Sequence, residues 1–328
     1  MPFKNIYGHE SIIERLMFTY QNDLIPSAFL LVGPQGIGKS TLIKEFGQVI
    51  NCRSNSSCHE CDNCRMYDNG SHPDFLVVKP NGQFIRIGQI HELINKLSLK
   101  PTYAKKRIVL VKDAFRLNQE SANSFLKILE EPPLDTLIIL TTTDENLLLE
   151  TILSRCQKLF FSPLTTEQIS KVIEKNYQLQ PVEMDFVLNY SQGRLRKEFI
   201  EKVDILFNMR RQVLRLLLNP EVEIVLDYCL LIDQWIKKDL HLFFLEFCSV
   251  WIRDLVCIKN QDLSNLINQD MLEELQSIDI LFTAEQLQWC FSLVIETESA
   301  IRANASKNLA LESLIIQFKQ ISEGIFAI

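Results

Sequence analysis

The sequence lacks a long hydrophobic run, an excess of positive charge and a secretion leader. Among its 328 residues, no apolar stretch approaches the roughly 18 residues of a membrane-spanning helix, so we expect no contact with a membrane. No N-terminal segment combines a basic start, an apolar middle and a small-residue cleavage site, so we expect no signal peptide. These absences together predict a cytoplasmic protein.

Acidic residues outnumber basic ones, which gives a net charge of -7 at pH 7. Such a balance argues against a protein that binds nucleic acid on its own through a basic surface, although it leaves room for a minor DNA contact within a larger assembly. The sequence also lacks internal repeats, low-complexity tracts and any recognisable nucleophile–base arrangement for acyl transfer. An apolar fraction of 47% provides enough material for two or three folded domains.

A phosphate-binding loop is present at residues 33–41. Its sequence GPQGIGKST fits G-x-x-x-x-G-K-[ST] at every specified position, and it lies between a strand-like apolar run and a helical pattern. Glycines let a backbone wrap around an anion, and the N-terminus of the following helix adds positive potential. Lys39 would reach the β- and γ-phosphates of ATP, and Ser40 would hold Mg²⁺. The alternative is an ordinary glycine-rich turn. The candidate nucleotide-binding residues are Gly33, Gly36, Gly38, Lys39, Ser40 and Thr41.

Strand and helix patterns alternate through the first half of the chain. Strands are predicted at 28–32, 74–79, 107–112, 136–141 and 158–161, with helices between them, which indicates an α/β fold with a doubly wound, mostly parallel sheet. From Ser162 onward the strand patterns disappear, and capping boxes at Thr165 and Thr283 predict helix starts. We therefore predict a nucleotide-binding domain at 1–163, a small helical lid at 164–205 and an all-α domain at 206–328.

Four cysteines lie within a polar segment at 52–64, with the spacing C-x₅-C-x₂-C-x₂-C. Closely spaced thiolates can surround Zn²⁺ tetrahedrally, and four of them leave no open position for water, so the pattern predicts a structural zinc site. His59 is an alternative ligand, and free or core cysteines are the alternative for the whole group. The candidate ligands are Cys52, Cys58, Cys61 and Cys64.

Several motifs, in a fixed order, resemble those of the ATPase-type subunits of the bacterial replicative clamp loader, which is part of the DNA polymerase III holoenzyme. After the phosphate loop and the cysteine module come SHPDF at 71–75, ESANSFLKILEEPP at 120–133, TTD at 142–144 and TILSRC at 151–156. The specific matches cover about residues 5–200 of the chain. The resemblance implies an AAA+ P-loop NTPase domain, a small helical lid and a C-terminal all-α collar domain for oligomerisation.

The resemblance also implies roles for individual residues. Arg155 matches the arginine finger, which reaches the nucleotide of a neighbouring subunit. Thr143 matches the sensor-1 position and Arg196 matches the sensor-2 arginine of the lid. The alternatives are an exposed arginine before a strand for Arg155 and an arginine at a polar helix start for Arg196. The implied partners are the other clamp-loader subunits in a hetero-oligomeric ring, with the sliding clamp and primed DNA reached through the complex.

The chain departs from the family at the acidic pair that ends a buried strand in its working ATPases. Here that strand runs into Lys112 and Asp113, so a cation occupies the metal-holding position and a shorter acid occupies that of the base. The intact phosphate loop predicts ATP binding. Because a positive charge repels Mg²⁺, we expect Lys112 to oppose Mg²⁺ binding and ATP hydrolysis to be weak or absent. Lys112 would itself supply part of the missing charge. These features favour a non-motor subunit. The alternatives are an autonomous motor ATPase in which Asp113 suffices, and a zinc-dependent nucleic-acid-binding module.

Overall fold

The computed structural model describes residues 3, 6–218 and 225–323 of the chain. These residues form two compact units. The first consists of residues 1–179 together with 191–196, and the second consists of 180–190 together with 197–328. The segment predicted as a lid therefore contributes to both units. The predicted division into three domains stays a prediction.

The first unit is built on a five-stranded sheet in which every paired strand runs parallel. The strand order is β2-β3-β4-β1-β5, so β1 lies between β4 and β5. All five strands lie where the short apolar runs of the sequence predict them, which confirms the doubly wound parallel sheet. The strands are Ala28–Val32 (β1), Phe75–Val78 (β2), Arg107–Val111 (β3), Thr136–Thr142 (β4) and Gln157–Phe160 (β5).

Seven helices accompany this sheet. The capping box predicted at Thr165 is confirmed, since its side chain accepts a hydrogen bond from the backbone of Gln168 at the start of α7. Helix α3 was not predicted, because its polar sequence lacks an apolar stripe. The helices are Glu10–Gln21 (α1), Lys39–Asn51 (α2), Asp62–Asp68 (α3), Ile87–Leu97 (α4), Gln119–Glu130 (α5), Glu150–Leu153 (α6) and Thr166–Asn176 (α7).

Alternate residues of the central strands supply two separate cores, one on each face of the sheet. In β1, Leu30 packs into the core formed with α4 and α5, whereas Phe29 and Leu31 pack into the core formed with α1 and α2. The strands are apolar at almost every position because both faces are covered. This burial fixes the two ends of the sheet, where the loops that carry the candidate site residues begin.

The second unit is helical throughout its described residues. The capping box predicted at Thr283 is confirmed at the start of α14. Among the described residues no single helix is both long and apolar enough to cross a membrane; one pair, Gln269–Asp279 and Ala284–Arg302, passes jointly but is bent by 115°. The helices are Pro181–Ser191 (α8), Lys197–Glu201 (α9), Val203–Leu218 (α10), Val225–Lys237 (α11), His241–Lys259 (α12), Leu272–Asp279 (α13), Ala284–Arg302 (α14) and Lys307–Ser322 (α15).

A buried polar network ties the helices of the second unit together. Arg210 donates to Asp270 at 2.7 Å and to the side-chain oxygen of Asn268 at 3.1 Å, and Tyr190 donates to the same oxygen at 2.9 Å. Asp254 is completely buried and accepts from the backbone N–H of Asn268 at 2.9 Å and from its side chain at 2.7 Å. The charges are thus paired and hydrogen-bonded, as buried charges must be.

A second buried ion pair, between Asp74 and Arg107, stabilises the first unit. Arg107 lies 3.3 Å from the Asp74 carboxylate, which also accepts backbone hydrogen bonds from residues 102–104 at 2.8–3.0 Å. Burial raises the pKa of the Asp74 carboxyl, but these donors outweigh it and hold the pKa below its usual value. Its contribution to stability is therefore present above the unfolded pKa of about 4 and is lost as the pH falls through the lower folded value.

We predict that Asp74→Asn destabilises the first unit by about 3 kcal/mol at pH 7, because it leaves the Arg107 charge buried without a partner. Hydrogen exchange of the β3 amides in the full chain measures this loss locally. Glu167→Gln is the matched control, because Glu167 also forms an ion pair, with Lys171, but at an exposed position. Equal exchange rates in the two variants would contradict the prediction.

Candidate functional site

The phosphate loop leaves the C-terminal end of β1 and enters α2. Gly36 and Gly38 have φ angles of 81° and 91°, a region that glycine adopts without strain. At Gly33 a side chain would be excluded by space, since a Cβ atom would lie 2.5 Å from the carbonyl oxygen of Phe161. The glycines of the motif are thus required by the local backbone. The geometry fits a loop that surrounds an anion at the start of a helix.

Lys39 is buried at the first position of α2, where it lies across its own loop. Its Nζ donates to the carbonyl oxygens of Gly33 and Pro34, the latter at 2.7 Å. Burial lowers the pKa of Lys39 to about 8, an effect that the nearby Asp113 carboxylate partly offsets. Phosphate oxygens would replace these two carbonyl acceptors and compensate the buried charge. The residues present therefore fit a nucleoside triphosphate. Ser40 and Thr41 follow Lys39 on the helix.

Two hydrogen bonds from other parts of the chain hold the loop in place. His9 Nε2 lies 2.9 Å from the carbonyl oxygen of Ile37, and the backbone N–H of Leu195 donates to the carbonyl oxygen of Gly36 at 2.9 Å. The imidazole of His9 also packs against Phe161, with ring centroids 4.7 Å apart. No motif connects His9 to the loop, so this contact could not be predicted from the sequence.

Lys112 and Asp113 occupy the positions of the family's acidic pair. They follow the C-terminal end of β3, at the same edge of the sheet as the phosphate loop. Asp113 has a left-handed backbone with a φ angle of 50°, and its N–H donates to the Thr141 hydroxyl at 3.1 Å. Its carboxylate lies 3.5 Å from the Gln35 side chain and close enough to Lys39 to affect that residue's pKa. Lys112 precedes it and is half-buried. The structure therefore brings Asp113 to the phosphate loop, and sequence reasoning missed Thr141.

The two predicted sensor residues also lie near the loop. Thr143 directly follows β4, whose last residue, Thr142, pairs with Val32 at the end of β1. The Arg196 side chain approaches Gly36, since its Cγ would lie 3.4 Å from a Cβ atom added there. The structure thus gathers the predicted nucleotide, base and sensor positions at one edge of the sheet. Their roles stay predictions.

Arg155 lies at the opposite edge of the sheet from the phosphate loop. It comes two residues before Gln157, which pairs with Phe29, whereas Gly33 comes four residues after Phe29. The four residues from Phe29 to Gly33, at about 3.3 Å each, already place Gly33 about 13 Å beyond the start of β5, and Arg155 lies in the turn before that start. An arginine side chain cannot span that distance. Arg155 therefore cannot serve the nucleotide site of its own chain.

The guanidinium of Arg155 is exposed to solvent but has defined partners. It donates to Glu130 Oε1 at 2.7 Å, to the carbonyl oxygen of Thr151 at 2.8 Å and to the Ser154 hydroxyl at 3.3 Å. Glu130 belongs to the EEPP segment at 130–133, and no local pattern there predicts that this acid contacts Arg155. Sequence separation of 25 residues hides the pair, and only the fold reveals it.

The four candidate zinc ligands converge. The sulfur atoms of Cys52, Cys58, Cys61 and Cys64 all lie within 4.8 Å of one another, with 4.0 Å between those of Cys58 and Cys64. Tetrahedral Zn²⁺ with Zn–S bonds of about 2.3 Å needs sulfurs about 3.8 Å apart, so a small contraction would complete the site. The residues therefore fit a zinc ion. His59 lies outside the group and contacts Asp68 at 3.0 Å.

Hydrogen bonds favour the thiolate form of the first ligand. Burial alone would raise the pKa of Cys52, but donors from the Ser54 hydroxyl and from the backbone of residues 54, 56 and 58 lower that pKa to about 5. Backbone N–H groups also point at two of the sulfurs, from Cys58 to Cys52 and from Cys61 to Cys58. A thiolate is the form that binds a metal.

One face of α2 anchors the cysteine module. Three polar residues at intervals of three, Glu45, Gln48 and Asn51, are buried there. Gln48 donates to the carbonyl oxygen of Cys64 at 3.2 Å, and Asn51 donates to the Tyr67 hydroxyl at 3.0 Å. Helix α2 therefore carries the phosphate loop at its N-terminus and the module at its C-terminus.

Comparisons with known proteins agree with this geometry. Residues 8–165 match the family described as DNA polymerase III, delta subunit. The chain is 25% identical to DNA polymerase III subunit delta' of Bacillus subtilis over 94% of its own length and 95% of that protein. It is 31% identical to subunit gamma/tau of Mycoplasma genitalium over 59% of its own length, but this covers only 34% of the longer protein.

A solved structure supports the fold. A DNA polymerase III gamma subunit-related protein from Thermotoga maritima superimposes with a TM-score of 0.51 at 18% identity, over 94% of this chain and 99% of that one. At this identity the likeness concerns the fold alone, and it supports the fold described above. Together with the sequence matches, it confirms the predicted resemblance: the chain is similar to the ATPase-type subunits of the bacterial DNA polymerase III clamp loader, and it matches a delta-prime subunit over nearly its whole length.

Proposed function

We propose that the chain acts as a delta-prime-type subunit of a DNA polymerase III clamp loader. In this role it helps an ATP-driven ring of subunits to load the sliding clamp onto primed DNA. It donates Arg155 to the ATP site of a neighbouring subunit. The observation that carries the proposal is the position of Arg155, at the edge of the sheet that faces away from its own phosphate loop.

The surroundings of Arg155 support contact with another protein. Exposed leucines occur in the segments next to Arg155 and Glu130: Leu134 is 91% exposed, and Leu147 and Leu149 lie just before α6. Exposed apolar side chains of this kind are used in protein interfaces. A cation in such an interface can stabilise the charge that develops on a transferring phosphoryl group.

The chain's own phosphate loop is suited to holding ATP more than to hydrolysing it. Lys39, Ser40 and the loop glycines would hold the phosphates, and bound Mg²⁺ would supply charge neutralisation there. Lys112 occupies the position where an acid would hold that metal, and Asp113 is one methylene shorter than the usual base. A positive charge beside Mg²⁺ opposes the metal, so we expect weak hydrolysis.

The cysteine cluster serves the proposal as a structural zinc site. Four sulfurs leave no open coordination position, so the metal would shape the module and take no part in ATP chemistry. Because the module is hydrogen-bonded to the C-terminal half of α2, zinc would also stabilise the helix that begins at the phosphate loop.

We predict that Arg155→Ala lowers ATP hydrolysis at the neighbouring site by at least about 10³-fold, because an arginine finger contributes that much to phosphoryl transfer. The measurement is the ATPase activity of the reconstituted clamp loader with sliding clamp and primed DNA. The total ATPase activity of the complex is expected to fall by the fraction that the neighbouring site contributes. Subunit assembly is expected to be unchanged. An unaltered rate would remove the in-trans role.

Two controls separate this proposal from its alternative. Arg15→Ala removes an exposed arginine of the same unit and is expected to have no effect. The isolated chain tests the alternative, an autonomous gamma/tau-type motor. Turnover of about 1 per second without partners, insensitive to Arg155→Ala, would establish that alternative.

We predict that the purified chain carries about one zinc ion, which Cys58→Ser removes, because a closed four-sulfur site needs every ligand. Elemental analysis gives the metal content, and thermal unfolding is expected to show a lower Tm in the variant and in chelated protein. Cys257→Ser is the matched control, since Cys257 is half-buried in the second unit and outside the cluster. Equal zinc content in both variants would contradict the assignment.

A further inference from the structure

The acid that meets Arg155 has a defined position of its own. Glu130 is the last residue of α5, a helix fixed by the buried side chains of Phe125 and Leu129. The second partner, the carbonyl oxygen of Thr151, belongs to α6, which is fixed by buried Ile152. Arg155 is thus held between the ends of two packed helices, and neither partner lies in a free loop.

The pattern of hydrogen bonds leaves part of the guanidinium available. Arginine offers five N–H donors. Three bonds go to Glu130, Thr151 and Ser154, so two donors have no acceptor among the residues that the structure describes. The side chain of Arg155 is also 34% exposed, which lets an oxygen of another molecule reach it. The contacts orient the group without occupying it completely.

From this geometry we infer that Glu130 is a positioning residue for Arg155, an inference that rests on the proposed in-trans role. A free arginine side chain loses much rotamer entropy when it is fixed against a phosphate. Glu130 and the Thr151 carbonyl impose part of that order before the neighbour's nucleotide arrives. The carboxylate acts through Arg155 and does not touch the phosphate itself. It raises the rate of the step that Arg155 supports, not the affinity for ATP.

The opposite role, restraint of Arg155 in an inactive position, predicts an effect of the opposite sign. If the ion pair had to break before Arg155 could act, removing Glu130 would accelerate hydrolysis. The two unused N–H donors and the exposure of the guanidinium favour positioning, because a phosphate oxygen can bind while Glu130 stays in place.

The test measures kcat and the KM for ATP of the reconstituted loader with clamp and primed DNA. Glu130→Ala is expected to slow hydrolysis at the neighbouring site about three- to tenfold with an unchanged KM, because disorder of a catalytic group costs rate. The kcat of the whole loader is therefore expected to fall by less than it does in Arg155→Ala. Glu130→Gln keeps an oxygen acceptor and is expected to recover part of the loss. Glu131→Gln is the matched control, since Glu131 is exposed, adjacent and of equal charge, and it is expected to match the wild type. Unfolding of the isolated chain is expected to be nearly unchanged in all three variants, because exposed ion pairs add little stability.

A double variant tests the positioning role of Glu130 separately from the in-trans role of Arg155. Glu130→Ala combined with Arg155→Ala is expected to be no slower than Arg155→Ala alone, because Glu130 acts only through Arg155. Additive losses, an unchanged kcat or a faster rate in Glu130→Ala would each overturn the positioning role. If Arg155→Ala itself leaves hydrolysis unchanged, the proposed in-trans function fails, and the positioning role fails with it.

Discussion

The common direction of the five strands is the constraint on which the rest of the structure depends. Because all the strands run parallel, their C-terminal ends meet at one edge and gather the phosphate loop, Asp113 and Thr143. The segment that leads into β5 must then begin at the other edge, and Arg155 lies there. One chain therefore carries a phosphate cradle on one side and an exposed cation on the other. This arrangement suits subunits that follow one another around a ring, each presenting its arginine to the next cradle.

Helix α2 extends this arrangement to the cysteine cluster. Its first residue, Lys39, closes the phosphate loop, and its C-terminal cap, Cys52, is a candidate zinc ligand. Thirteen residues at about 1.5 Å each separate the two sites by about 20 Å. The buried amides of Gln48 and Asn51 form hydrogen bonds with the cysteine module. These bonds offset the free-energy cost of burying polar side chains. Zinc would thus act on the nucleotide site only through the stability of this helix.

The sequence predicted those features that depend on residue type and local spacing. Short apolar runs located all five strands, the motif located the phosphate loop, and the spacing of Cys52 to Cys64 predicted a cluster that the structure assembles. It could not predict contacts between distant segments of the chain. His9 reaches Ile37, Thr141 reaches Asp113, and Glu130 reaches Arg155 only because the fold brings their elements together. Helix α3 was missed for another reason: its buried face is formed by Cys64 and Tyr67, which no apolar stripe announces.

The central claim is that Arg155 acts on the neighbour's nucleotide while the chain's own loop hydrolyses ATP weakly or not at all. The most direct measurement is a structure of the assembled loader, with clamp and an unhydrolysable ATP analogue, that resolves this chain beside its neighbour. The account predicts that the Arg155 guanidinium lies within about 3 Å of a γ-phosphate oxygen held by the adjacent subunit's phosphate loop. An Arg155 that faces solvent, with no nucleotide of another subunit within reach, would contradict it.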